Sequence, residues 1–163
     1  MSKIKSTQEI QQIANQLRGD NKTIVTYNGS FDILHVGHAR SLQEAKTLGD
    51  VLIVPLNSDK SVKMYKGPKR PIVGEKERAE MLSALGCVDY VVFFDETDPI
   101  RILDIIKPHI HANGADYGEN CIEKDIVEKN GGKIQILKWS DGFSTSKLIK
   151  KIVDLYGPSG NSF

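Results

Sequence analysis

His35 and His38 stand three residues apart in the run Asn28-Gly29-Ser30-Phe31-Asp32-Ile33-Leu34-His35-Val36-Gly37-His38. At that spacing, at the first turn of a helix, both imidazoles project from one face. The free amides of a helix start attract anions, and two ring N–H donors beside them suit a phosphate whose charge grows during reaction. Gly37 removes bulk between the rings, and Gly29 lets the backbone pass close to a ligand. Asp32, beside the pair, could orient an acceptor or the water shell of magnesium. The same residues allow another chemistry. Asp32, His35 and His38 recur every third residue and could ligate a transition metal, which would make the chain a metal-dependent hydrolase. That reading gives Phe31 and Gly37 no role and lacks an evident fourth ligand. A non-catalytic nucleotide-binding regulator is a third class.

Two further clusters bear on anions. Lys60, Lys63, Lys66, Lys69 and Arg70 fall within eleven residues, with Asp59 the only acid near them. This is either a solvated basic loop or a mobile cationic flap that closes over a triphosphate. Ser144-Thr145-Ser146 opens the last helical pattern, and its hydroxyls serve as caps or as an anion cradle. Asp116 could bind nucleotide hydroxyls or simply shape a turn. Trp139 reads as packing. There is no GxSxG, Walker A or GxGxxG pattern, so hydrolase, P-loop kinase and dinucleotide-dehydrogenase readings lack their usual support.

The elements that must position these residues alternate along the chain. Ser6 and Glu9 have capping-box spacing ahead of Ile10, Ile13 and Leu17. Strands are expected at Thr23–Tyr27, Val51–Leu56, Val88–Phe94, Ile110–Ala112 and Ile134–Leu137. Helices are expected from Val36 to Leu48, Glu75 to Leu85, Asp98-Pro99 to Lys107, Cys121 to Lys129 and Ser144 to Leu155. Asn57 to Gly74 reads as a long loop with at most one helical turn. The fold class is therefore α/β, with about five mainly parallel strands and helices on both faces. In such a sheet ligands gather beyond the carboxyl ends of the strands, where the loops carrying the three clusters would meet.

The 163 residues carry 22 basic and 21 acidic side chains, a net charge of +1. That balance argues against nucleic acid or an anionic membrane as partner. No apolar run approaches the ~20 residues of a membrane span, and the start has no apolar signal core. A cytoplasmic location is expected, with Cys87 and Cys121 as reduced thiols.

Gly29 to His38 resembles the GxFDxxHxGH signature of the nucleotidyltransferase superfamily of cytidylyl- and adenylyltransferases. The likeness continues through Leu56-Asn57-Ser58-Asp59, Lys66-Gly67, Arg70-Pro71, Gly114-Ala115-Asp116-Tyr117, Asn130-Gly131-Gly132 and Asp141 to Thr145. Over Ser6 to Lys151 the chain is similar to the heptose-phosphate adenylyltransferase domains of lipopolysaccharide core synthesis, in a form without the sugar kinase to which they are often fused. Asn113 stands where those domains typically carry lysine, and Ala115 where they usually have glycine. Trp139 stands where glycerol-phosphate cytidylyltransferases typically have arginine.

The resemblance implies a Rossmann-like domain over residues 1–156, with 157–163 a flexible tail. It implies transfer of AMP from ATP to a sugar 1-phosphate with loss of pyrophosphate, with Mg2+ accompanying the nucleotide. The alternative is CTP with glycerol 3-phosphate or a similar phosphorylated alcohol. It assigns His35, His38, Lys66 and Arg70 to catalysis. Asn28, Gly29, Ser30, Phe31, Gly37, His38, Gly114, Asp116, Ser144 and Thr145 would hold nucleotide, and Asp32 and Asn57 the acceptor. Nucleoside triphosphate and phosphorylated acceptor are the implied partners, and a homodimer the implied assembly.

Overall fold

The computed structural model describes residues 2–114, 118, 121–138 and 143–157. Ala115, Asp116, Tyr117, Trp139 and the expected tail beyond Gly157 lie outside these residues. The chain runs β1 (Ile4–Lys5), α1 (Thr7–Gly19), β2 (Ile24–Thr26), α2 (Val36–Lys46), β3 (Val51–Asn57), α3 (Asp59–Lys66) and α4 (Glu75–Ala84). It continues through β4 (Tyr90–Phe94), α5 (Ile100–Ile106), β5 (Ile110–Asn113), α6 (Lys124–Lys129), β6 (Lys133–Ile136) and α7 (Thr145–Tyr156).

All six strands form one sheet in the order β1-β4-β3-β2-β5-β6, and every pairing is parallel. The expected five strands thus become six. The extra strand is Ile4–Lys5, a two-residue edge that pairs with Val91 and Val92 and is too short to show a period. The sheet fills from both sides. Ile10 and Ala14 of α1 and Ile102 and Ile106 of α5 cover one face. Leu42 and Ala45 of α2 and Ala79 and Leu82 of α4 cover the other. A strand between two helical layers must be apolar throughout, and β3 is buried at every position after Val51.

Local signals account for most boundaries. The capping box at the start of α1 is complete, with Glu9 N donating to Ser6 Oγ at 3.2 Å and Ser6 N donating to Glu9 Oε2 at 2.8 Å. Three differ from expectation. α5 begins at Ile100, with Pro99 as its cap and Asp98 Oδ1 accepting from Ile100 N at 3.1 Å. α6 begins at Lys124 rather than near Cys121. The stretch expected as a long loop contains the two-turn helix α3, capped by Ser58 Oγ accepting from Ser61 N at 3.2 Å. Gly67 ends α3 at φ +90°, a backbone region where a side chain would be strained.

β2 has β3 on one side and β5 on the other, so the chain winds away from it in both directions. The crevice beyond the carboxyl end of β2 is where a parallel sheet of this kind opens. The loop from Tyr27 to His35 occupies its rim.

Candidate active site

The loop after β2 is held in an unusual conformation. Phe31 and Ile33 adopt φ of +46° and +52°. A left-handed β-branched residue is an outlier that costs roughly 1–3 kcal/mol and persists only where its surroundings fix it. The residue between them supplies the fixing. Asp32 is fully buried. Its carboxylate accepts from Arg70 Nε at 2.6 Å, Ile72 N at 3.0 Å and Val73 N at 2.9 Å. Burial alone would raise its pKa, but the Val73 and Ile72 amides and the Arg70 guanidinium outweigh it and bring it below the ordinary value. Expected at the acceptor, Asp32 instead directs its oxygens at the segment after α3 and ties that segment to the motif loop. Thr145 Oγ1 donates to the Asp32 carbonyl at 2.6 Å, which brings the start of α7 to the same point.

The histidines open α2. His35 is its N-cap, with Nδ1 accepting from His38 N at 3.4 Å. In a neutral ring the lone pair on Nδ1 places the proton on Nε2. That Nε2 is buried and has no partner among the described residues, and neither has His38 Nδ1. The rings stack with centroids 3.8 Å apart and an interplanar angle of 18°, and Phe31 meets His38 edge-on at 5.2 Å. Burial, then the charges of His35 and Lys66, push the His38 pKa down to about 3. Burial also lowers that of His35. Close approach favours glycine at position 37. A Cβ there would stand 3.0 Å from Phe143 Cβ and 3.1 Å from the His35 ring.

Of the basic cluster, Lys66 and Arg70 turn inward. Lys66 leaves its stem exposed and sends Nζ to Ser30 Oγ at 2.8 Å. Burial, then the charge of Arg70, lowers its pKa. Lys60 faces Asp95 across 3.8 Å with its side chain largely in water, and Lys63 and Lys69 are exposed. Those three are a wet surface, as the plainer expectation had it.

One organising residue escaped sequence reasoning. Arg78 of α4 is 1% exposed. Its Nη1 donates to the carbonyls of Ser30 at 2.5 Å and Asn57 at 2.9 Å, its Nη2 to Asp59 at 2.7 Å and its Nε to the Val73 carbonyl at 2.9 Å. It joins the motif loop, the end of β3, the start of α3 and the loop ahead of α4. Only its spacing with Leu82 on the inner face of a helix could have pointed to it.

These parts enclose a cleft of about 330 Å3, within the range of small-molecule sites. Gly29, Ser30, His38, Asn57, Lys66 and Asn113 are among its walls. Asn28 and Phe31 also line it. Asn57 spends its amide on Ser61 Oγ at 2.9 Å, and the Gly114 amide is taken by Asn113 Oδ1 at 3.2 Å. Ser144 caps α7 by accepting from Lys147 N at 3.2 Å. Asp116 lies outside the described residues. Among the described residues no three His, Cys, Asp or Glu side chains are grouped to hold a metal ion. Asp32, committed to Arg70 and two amides, does not join the histidines in the metal trio that the spacing allowed.

Comparison with known proteins agrees with this arrangement. The cytidylyltransferase-like family model matches residues 26–151. The bifunctional protein HldE of Geobacter metallireducens is 46% identical over 157 residues, covering 96% of this chain and 32% of that protein. The chain therefore spans about a third of the length of the curated relatives it matches. A solved lipopolysaccharide core biosynthesis protein of Thermoplasma volcanium is 33% identical, with a TM-score of 0.60, covering 75% of this chain and 99% of that one. A pantoate-beta-alanine ligase from Francisella tularensis, 16% identical with a TM-score of 0.56, shares the α/β fold alone. No described helix is long and apolar enough to cross a membrane. With most of its length matched by that family model, the chain belongs to the cytidylyltransferase-like family of nucleotidyltransferases.

Proposed function

We propose that the chain transfers AMP from ATP to a sugar 1-phosphate of the heptose 1-phosphate type, releasing pyrophosphate, in the making of a nucleotide sugar for lipopolysaccharide core. The observation that carries this reading is the pair of orphaned ring nitrogens, His35 Nε2 and His38 Nδ1, at the start of α2 beside Lys66. A buried donor without a partner is costly, and a phosphate oxygen supplies one. The acceptor's phosphate monoester is already ionised near neutral pH and needs no general base. One of its oxygens attacks the α-phosphorus, and the bond from that phosphorus to the bridging oxygen of pyrophosphate breaks. The protein's contribution is position and charge, which suits a site of donors and cations without a nucleophile–base pair.

His35 Nε2–H and the Lys66 ammonium meet the charge that grows on the α-phosphate, and Arg70 stands behind Lys66. Ser144 and Thr145 at the start of α7 receive the phosphate tail. Magnesium bound with the triphosphate would neutralise that tail. Among the described residues no acidic cluster is built for it, so it would travel with the nucleotide.

The choice of ATP rests on the similarity to HldE along 96% of the chain and on Trp139 standing where cytidylyl members typically carry arginine. The family's own description favours CTP, with glycerol 3-phosphate or a related alcohol phosphate as acceptor, as the second reading. Equal ATP and CTP, offered with heptose 1-phosphate and separately with glycerol 3-phosphate, separate the two by product mass. A site that hydrogen-bonds one base edge leaves polar groups unpaired against the other, so ADP-linked product is expected in large excess. Predominantly CDP-linked product would overturn the adenylyl reading.

A further inference from the structure

One wall of the cleft is not used by the transfer chemistry. β5 ends there at Asn113, and Glu123 immediately precedes α6. Each side chain is 5% exposed, and both line the cleft. Asn113 Oδ1 is occupied by the Gly114 amide. Among the described residues Asn113 Nδ2 and Glu123 Oε2 have no hydrogen-bond partner. A buried donor and a buried acceptor, both unsatisfied, destabilise the protein that keeps them. Both belong to the same wall of the cleft, beside Ile122. Burial raises the pKa of the nearby Cys121 thiol, with the Asn113 side chain lowering it and the Glu123 carboxyl raising it, and sulfur hydrogen-bonds too weakly to satisfy either group.

We propose that Asn113 Nδ2 and Glu123 Oε2 together hold one hydroxyl of the acceptor sugar. A hydroxyl donates and accepts at a single atom, so one group satisfies both orphans. The inference rests on the transferase reading and says where the acceptor lies. α7 meets the motif loop through Thr145 at the Asp32 carbonyl and through Phe143 at Gly37. The cleft lies on the His38 and Phe31 side, with Asn57 and Lys66. A phosphate held between His38 and Lys66 leaves the sugar to extend toward β5, away from the phosphate tail at α7. The polar walls that Ser30, Asn57 and Thr97 add suit a polyol better than a flat base.

Steady-state transfer from ATP to heptose 1-phosphate and to its monodeoxy analogues tests the assignment, using the wild type, Asn113→Ala and Glu123→Gln. Each substitution is expected to raise the acceptor KM roughly 10–100-fold, with the ATP KM and the saturated kcat held within about threefold. One deoxy analogue should react markedly worse than the parent sugar with the wild type, and each variant should distinguish that analogue from the parent less than the wild type does. A variant that handicaps every analogue alike overturns the proposal in favour of a structural role. A raised KM for ATP with an unchanged acceptor KM overturns it in favour of a base-reading pair. Normal wild-type turnover with folded variants of unchanged acceptor KM sinks this inference alone. A wild type that releases no pyrophosphate with any sugar phosphate, from ATP or CTP, removes the transferase reading beneath it.

Discussion

At the scale of residues, the histidine pair divides its labour. His35 commits Nδ1 to the backbone of α2 and leaves Nε2 buried without a partner among the described residues, while His38 packs against Phe31 and lines the cleft. Replacing either with alanine should lower kcat by roughly 10²–10⁴-fold with a smaller change in nucleotide affinity. Turnover within about threefold of wild type in an intact fold would remove the assignment. The same burial has a pH signature. Burial holds the native His38 ring at about 3, while in the unfolded chain the ring has the ordinary imidazole value of 6.5. Between those values the unfolded chain binds a proton that the native ring refuses. Stability is therefore complete above about pH 6.5 and falls as the pH drops toward 3. His111, wholly buried with Nδ1 2.8 Å from Thr26 Oγ1, shifts to about 3 and adds to the same slope. Thermal melts between pH 7.5 and 4.5 should show this decline, and His38→Asn should lessen it, leaving the part that His111 contributes.

At the scale of elements, the segment between β3 and α4 is a latched structure. Its helix and its tether were not legible in the sequence, for two reasons. The apolar positions in α3 are too few to show a helical stripe, and the strongest tether on the segment, Asp32, is distant in sequence. The loop Gly67–Gly74 hangs on one carboxylate through the Ile72 and Val73 amides and Arg70. Asp32→Ala should cost roughly 3–5 kcal/mol, since it strands a largely buried guanidinium, and should speed amide exchange at Ile72 and Val73. Unchanged exchange there would mean that the latch is not what orders the loop. Arg78→Met should be comparably destabilising, because four acceptors in four segments lose their donor together. The strands after β1 and the helices α1, α2 and α4 were legible because their signals are local, namely caps, apolar runs and glycine stops. Arg78 and the inward turn of Asp32 were not, because each breaks the rule that charge faces water, and only the assembled fold supplies the partners that permit it.

At the scale of the molecule, a sheet with two well-filled faces holds the motif loop, the end of β3 and the end of β5 in fixed relation. The third contributor to the site is attached differently. α7 is a twelve-residue helix without one buried residue, and Ile152, Val153, Leu155 and Tyr156 are each close to half exposed or more. ATP at about a hundred times its Kd should stabilise the protein by roughly 2.7 kcal/mol, read as a raised melting temperature. The gain should not be spread evenly. The piece that carries Ser144 and Thr145 has the least of its own burial to resist opening, so it should be the first to detach in mild denaturant. Under native-state exchange or brief proteolysis, cuts and label should collect in α7 while β2, β3 and β4 stay closed. Half of the phosphate grip would then sit on a hinged arm and half on an anvil, and nucleotide would bind by recruiting the arm.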